Sequence, residues 1–217
     1  MPTAKNIMKP RVSVIIPSYN AVRHLPLAIL DVAHQLDSQD APYEIIVIEG
    51  GSTDGSSEAM RRFSVLMPNV RVIGYDVNRG SVKAVQRGIW AARGKLRVVM
   101  KPEDSSWIGQ LHEIEAHTEA GHHVIIGDSR PAHKAQQFSW FRSFGRGFKH
   151  RIKNLLYRIN VHDQDPYGLF AFSAQAAETI FSHPFPEGDR NFSSEIIRRA
   201  RRGGWEVKVL GMGGEIS

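Results

Sequence analysis

Four short stretches concentrate the side chains that could do chemistry: Ser18–Asn20, Glu49–Gly55 (EGGSTDG), Asp76–Gly80 and Lys101–Ser106. Each is rich in polar residues and Gly. Such residues offer side-chain acceptors and approachable backbone amides, the groups that hold a nucleotide. They are also ordinary turn formers, and that is the simpler account of any one stretch. Turn formation alone does not explain why the pattern recurs after four successive apolar runs. Further along, Asp163 and Asp165 precede Pro166 and Gly168. Either carboxylate could act as a general base, or simply open a turn.

Several familiar arrangements are missing. No GxxxxGK[ST] occurs, which excludes P-loop phosphoryl transfer, and no GxGxxG follows the first apolar run. His112-Glu113 with His117 misses a zinc-binding HExxH, because the second His comes one residue late for the required i+4. The three read as surface residues of a helix. The chain has no cysteine, so disulfides, thiolate zinc sites and a Cys nucleophile are excluded.

The elements that must position these stretches follow from periodicity. Val12–Pro17, Tyr43–Ile48, Val70–Tyr75, Leu96–Met100 and Val124–Gly127 are short apolar, β-branched runs and read as strands. Ala21–Leu36, Ser56–Leu66, Ser81–Ala92 and Ile108–Ala120 carry helical spacing. Strands alternating with crossover helices give right-handed βαβ units and a mostly parallel sheet. Ligands of such sheets bind at the carboxyl ends of the strands, where all four polar stretches fall.

Charge is unevenly placed. Residues 1–128 hold 14 basic and 14 acidic side chains, residues 129–162 hold 8 basic and no acidic ones, and residues 163–217 hold 6 and 8. The net charge of +6 therefore belongs to one segment and argues for a local anionic partner. Within it, apolar residues at 141, 144, 148, 152, 155, 156 and 159 form a helical stripe among Arg142, Arg146, Lys149, Arg151, Lys153 and Arg158. A basic amphipathic helix with Trp140 and Phe141 at one end reads as a membrane-surface element. The alternative is a stripe packed on the sheet beneath a solvated charged face. Arg198, Arg199, Arg201 and Arg202 read as a late helix end set against the dipole. No nucleic-acid module accompanies these clusters, and no nucleic-acid partner is expected. The first residues are polar and basic, and no run reaches the length of a spanning helix. A cytoplasmic protein without signal peptide, peripheral at the membrane face, is the resulting expectation.

IIPSYN (Ile15–Asn20), IVIEGGSTDGS (Ile46–Ser56) and NRGSVKAVQRGIWAARGKLRVVM (Asn78–Met100) resemble the nucleotide-binding half of family 2 glycosyltransferases. GDSR (Gly127–Arg130), DPYGLFAF (Asp165–Phe172) and FSSEIIRRARRGGWEVKVL (Phe192–Leu210) extend the likeness, which is nearest to the polyprenyl-phosphate sugar synthases. The resemblance implies an α/β GT-A (Rossmann-like) fold in a single domain, 1–217. Residues 10–128 form its nucleotide-sugar half, and 129–217 its acceptor half with the basic amphipathic segment 138–159. It implies transfer of a sugar, with inversion, from a nucleotide sugar to a polyprenyl phosphate or other membrane-associated acceptor. Pro17, Tyr19, Asn20, Glu49, Gly51, Ser52, Asp54, Asn78, Gly80, Lys83 and Lys101 would face the donor. Ser129, Arg130, Lys149 and Arg151 would hold the acceptor phosphate. Arg130 and Asp165 would be catalytic, Asp165 as the base if the acceptor is a hydroxyl.

The sequence departs from the family at two acidic positions. The usual acidic pair after the second strand reads Glu49-Gly50, and the usual Asp-x-Asp after the fourth reads Lys101-Pro102-Glu103-Asp104. Three expectations follow. Glu103 and Asp104 hold Mg²⁺ or Mn²⁺ in an altered site, or Lys101 stands in as a fixed positive charge on the diphosphate. Otherwise the domain is an inactive GT-A-like module that binds nucleotide sugar or a protein partner.

Overall fold

The computed structural model describes residues 9–128, 167–186, 192–211 and 214–215. Its strands are β1 (Val12–Ser18), β2 (Tyr43–Glu49), β3 (Val70–Gly74), β4 (Leu96–Met100), β5 (Val124–Asp128), β6 (Tyr167–Ser173), β7 (Val207–Gly211) and β8 (Gly214–Glu215). They form one sheet in the order β3-β2-β1-β4-β6-β5-β7-β8. β3, β2, β1 and β4 run parallel, and β5 pairs parallel with β7. β6 lies antiparallel between β4 and β5. The alternation in the sequence does not reveal this insertion, because no local pattern encodes the direction in which a strand is laid down.

The helices are α1 (Leu25–Asp37), α2 (Ser56–Leu66), α3 (Ser81–Ala91), α4 (Leu111–Glu119), α5 (Ala174–Ile180) and α6 (Phe192–Arg202). A 3-10 stretch, Pro102–Gln110, leads into α4. Val12, Val14 and Ile16 of β1 face α1, α2, Trp107 and α4, while Ile15 faces α3. Both faces are covered, so the strands read as continuous apolar runs rather than alternating ones. Two glycines let a strand and the residues that cover it approach closely. A methyl group on Gly88 of α3 would meet the Ile15 side chain at 2.3 Å, and one on Gly127 of β5 would meet the Trp107 ring at 2.9 Å.

Two helices start later than periodicity suggests. α1 begins at Leu25 because the amides of Ala21 and Val22 are held by Ser56 Oγ (3.1 Å) and Asp54 Oδ2 (3.0 Å). α4 begins at Leu111 because the chain first follows the 3-10 path, whose φ/ψ leaves the helical region at Asp104. Among the described residues no helix is long and apolar enough to cross a membrane.

The helices over one face (α1, α2, the 3-10 stretch and α4) carry eight acidic and two basic side chains. Those over the other (α3, α5 and α6) carry six basic and two acidic. The sheet thus separates an acidic layer from a basic one.

The amino-terminal edge of the strands is closed by Glu44, which is buried. It accepts hydrogen bonds from Ser13 Oγ (2.7 Å), the Arg93 amide (2.7 Å) and Arg71 Nη1 (2.8 Å). Burial alone would raise its pKa. The Arg93 amide, Ser13 and Arg71 outweigh that and hold it below the ordinary 4.5. Glu44→Gln should cost roughly 1.5–3 kcal/mol of stability at neutral pH, the range for hydrogen bonds to a charged group. Because the folded-state pKa is lowered, this difference from wild type should be complete above pH 4.5 and shrink as pH falls through the folded value. Urea titrations of both proteins across that range check the sign.

Candidate functional site

β3, β2, β1 and β4 end at one level. Ser18 pairs with Glu49, Glu49 with Gly74, and Ile15 with Val99, two residues before Lys101. Their four polar loops therefore meet along one edge. β6 enters at this edge, where Met100 opposes Leu169, and β5 leaves it at Asp128, opposite Tyr167. The predicted residues Ser129, Arg130, Lys149, Arg151 and Asp165, with Asp163 and the segment 138–159, lie outside the described residues. The strand ends that flank them in sequence are at this same edge.

The first two loops are tied together side chain to backbone. Asn20, with a left-handed φ of 51°, donates its amide to Ser52 Oγ (2.9 Å) and accepts from the Thr53 amide through Oδ1 (2.9 Å). Asp54 accepts from the Val22 amide through Oδ2 (3.0 Å), and from the Ser56 amide (3.0 Å) and hydroxyl (2.6 Å) through Oδ1. The Gly50 amide donates to Ser18 O (2.8 Å). The Asp54 carboxyl is held below its usual range, chiefly by the Ser56 hydroxyl and next by the Val22 amide. Thr53, Ser56 and Ser57 were not singled out from the sequence. Their place inside the EGGSTDGSS run was the available signal.

Glu49, expected to face the donor, turns back into its own loop. Its carboxylate accepts from the amides of Gly51 (3.0 Å) and Ser52 (2.9 Å) and from Ser57 Oγ (2.7 Å), and it is buried. Burial raises its pKa, but Ser52, Ser57 and the two amides together bring it below the ordinary value. The third loop completes the frame. The Tyr75 amide donates to Glu49 O (2.9 Å), and Asn78 Oδ1 accepts from the Gly80 amide (2.8 Å). Gly80 adopts φ 85° as α3 begins. Arg79 and Arg87 lie over the Tyr75 ring at 5.4 and 4.5 Å. Lys83 is exposed in the first turn of α3, Tyr19 is 48 % exposed, and Pro17 is half-buried in β1.

Lys101 ends the β4 run in extended conformation (φ −79°, ψ 158°) and is exposed. Its carbonyl accepts from the Asp104 amide (3.1 Å). Glu103 is exposed and Asp104 half-buried. Burial raises the Asp104 pKa, Lys101 opposes the rise and Glu103 adds to it. Among the described residues no group of three or more His, Cys, Asp or Glu could hold a metal ion. With a cation at 101 and Glu49 engaged by its own loop, these residues do not fit a divalent cation.

A βα sheet with its polar loops gathered at one carboxyl edge, and a strand inserted antiparallel beside them, is the GT-A fold. The model of the family described as glycosyl transferase family 2 matches residues 13–180, and the chain belongs to that family. It is 23% identical over 210 residues to a dolichyl-phosphate beta-glucosyltransferase of Trichomonas vaginalis, covering 91% of this chain and 64% of that protein. It is 32% identical over 135 residues to the undecaprenyl-phosphate 4-deoxy-4-formamido-L-arabinose transferase of Aeromonas hydrophila, covering 60% and 39%. The chain thus spans less than two thirds of the length of either relative. In fold it is similar to the mannosyltransferase PcManGT from Pyrobaculum calidifontis, solved in complex with GDP-Man and Mn²⁺ (TM-score 0.60, 19% identity, 94% of this chain and 55% of that one). It is similar also to glucosyl-3-phosphoglycerate synthase from Mycobacterium tuberculosis with Mn²⁺ and UDP (TM-score 0.56, 20% identity, 93% and 68%).

Gly51 joins the second and third loops. Its φ is 77°, and an added methyl would lie 3.1 Å from the carbonyl oxygens of Tyr75 and Asp76. Gly55 has φ 93° but open space around it. Gly55→Ala should cost about 1–2 kcal/mol for the left-handed backbone alone. Gly51→Ala should add about 1–3 kcal/mol for displaced backbone. Denaturant midpoints of the two variants check the difference.

Proposed function

We propose that this chain is a glycosyltransferase domain that moves a sugar from a nucleoside-diphosphate sugar to a lipid-borne phosphate, with inversion. The observation that carries the reading is the frame of loops at the ends of β1, β2, β3 and β4. It leaves Tyr19, the Asn20 region and Lys101 along one open edge beside the start of β6. The relatives named for dolichyl and undecaprenyl phosphates favour a polyprenyl phosphate as acceptor.

The chemistry asks little of the protein beyond placement. A phosphate oxygen of the acceptor attacks the anomeric carbon from the face opposite the leaving group. The new carbon–oxygen bond forms as the bond to the donor β-phosphate breaks, and that electron pair leaves with the nucleoside diphosphate. The nucleophile is already anionic, so no base is required, whereas cations that hold the acceptor phosphate are. Ser129, Arg130, Lys149 and Arg151 take that role. Asp165 would become necessary only for a hydroxyl acceptor. A second reading, nucleotide-sugar binding without transfer, rests on the altered acidic positions at Gly50 and Lys101.

The deciding experiment incubates the chain with labelled UDP- and GDP-sugars and with undecaprenyl or dolichyl phosphate in vesicles. Transfer into the lipid phase supports the proposal, donor binding without transfer supports the second reading, and neither one rules out both. Arg130→Ala should reduce transfer at least about tenfold through loss of a charge-assisted contact. Asp165→Asn should change it by less than about threefold with a phosphate acceptor. A loss of about 100-fold or more would show that Asp165 is required even with a phosphate acceptor, against its reading as dispensable there.

A further inference from the structure

The loops of this edge form a frame rather than a cradle for an anion. The amides of Asn20, Ala21, Val22, Gly50, Gly51, Ser52, Thr53 and Ser56 all donate to protein acceptors. Backbone N–H groups that would otherwise point at a phosphate are thereby occupied. A carboxylate cage for a divalent ion is not formed among the described residues either. A diphosphate lying along this edge still has charge to be neutralised, most of all as it leaves.

Lys101 is placed for that. Pro102 disfavours the helical region for the residue before it. Lys101 accordingly stays extended past the end of β4, and its carbonyl is fixed by the Asp104 amide at 3.1 Å. The register of β4 on β1 puts it at the level of Pro17, next to the loop that carries Tyr19 and Asn20. On its other side β6 begins, opposite Met100. The side chain is exposed. An ammonium is a compact point charge with three donors and serves as a phosphate partner without a metal.

We infer that Lys101 neutralises the donor diphosphate in place of a divalent cation, so that this chain binds nucleoside diphosphates independently of metal. The inference rests on the donor reading proposed above, and its test separates the two. Calorimetric titrations of the chain with UDP and GDP are run in EDTA and again with Mg²⁺ or Mn²⁺, alongside uridine and guanosine. One diphosphate should bind in EDTA with an affinity within about twofold of that with metal. Lys101→Ala should weaken that diphosphate at least about tenfold while leaving the matching nucleoside unchanged. Lys101→Arg should retain most of the affinity, and both variants should melt as wild type does. Binding that disappears in EDTA, or a Lys101→Ala variant that weakens nucleoside and diphosphate alike, overturns the inference and leaves the donor reading standing. Failure of every nucleotide to bind under either condition overturns both.

Discussion

The structure depends on a set of side-chain-to-backbone hydrogen bonds that lock two loops together. Four parallel strands ending at one level deliver four loops to one edge, and each loop brings amides that have left the ladder. An amide shut away from water without a partner is costly, so every such loop needs acceptors. Here Asn20, Ser52, Asp54 and Ser56 supply them across the gap between the first and second loops, and Glu49 within the second. The outcome is a rigid rim whose polar groups are mostly turned inward. The rim can present rings and cations to a ligand, but few backbone donors. The placement of Lys101 gains its meaning from that constraint.

β2 carries a buried glutamate near each end, and the two work differently. Glu44 meets two arginines, Arg71 and Arg93, at the amino-terminal edge, where the charge is cancelled and the task is structural. Glu49 meets amides and hydroxyls of its own loop at the carboxyl edge. Both carboxyls are held below their ordinary pKa despite burial, one with the help of cations and one by neutral dipoles. A glutamate therefore organises the site edge without bringing a second cation to it.

Much of this was legible in the sequence, and the exceptions have physical causes. β1, β2, β3, β4 and β5 were readable because strands buried on both faces write themselves as unbroken β-branched runs. The antiparallel entry of β6 was not, since direction depends on where a long connection returns and no local pattern encodes that. Periodicity starts α1 four residues too early because Ala21–His24 has helical composition, yet the amides of Ala21 and Val22 are taken by partners more than 30 residues away. Glu49 was read as a donor contact for a similar reason. EGGSTDG looks the same whether its carboxylate faces a ligand or folds back onto Gly51 and Ser52, and only the tertiary path decides. The Lys101 substitution, by contrast, was plain from sequence alone, because a change of charge sign needs no geometry to be noticed.

The charge distribution gains a second level in three dimensions. In sequence the surplus belongs to residues 129–162, between Asp128 of β5 and Tyr167 of β6, which both lie at the carboxyl edge of the parallel strands. In space a further asymmetry appears. The α3, α5 and α6 layer carries a net +4 and the α1, α2 and α4 layer with its 3-10 stretch a net −6. Exposed charges act over about one Debye length, close to 8 Å at physiological salt, so each layer is felt separately by anything that approaches. An anionic surface attracts the layer that holds α3 and α6 and repels the opposite one. The exposed Trp90 of α3, at 62 %, sits on the attracted side with its Nε1 tied to Phe181 O at 3.1 Å. Trp favours positions where one end is apolar and the other wet. Opposite charge on the two layers would turn the sheet toward any anionic surface it meets.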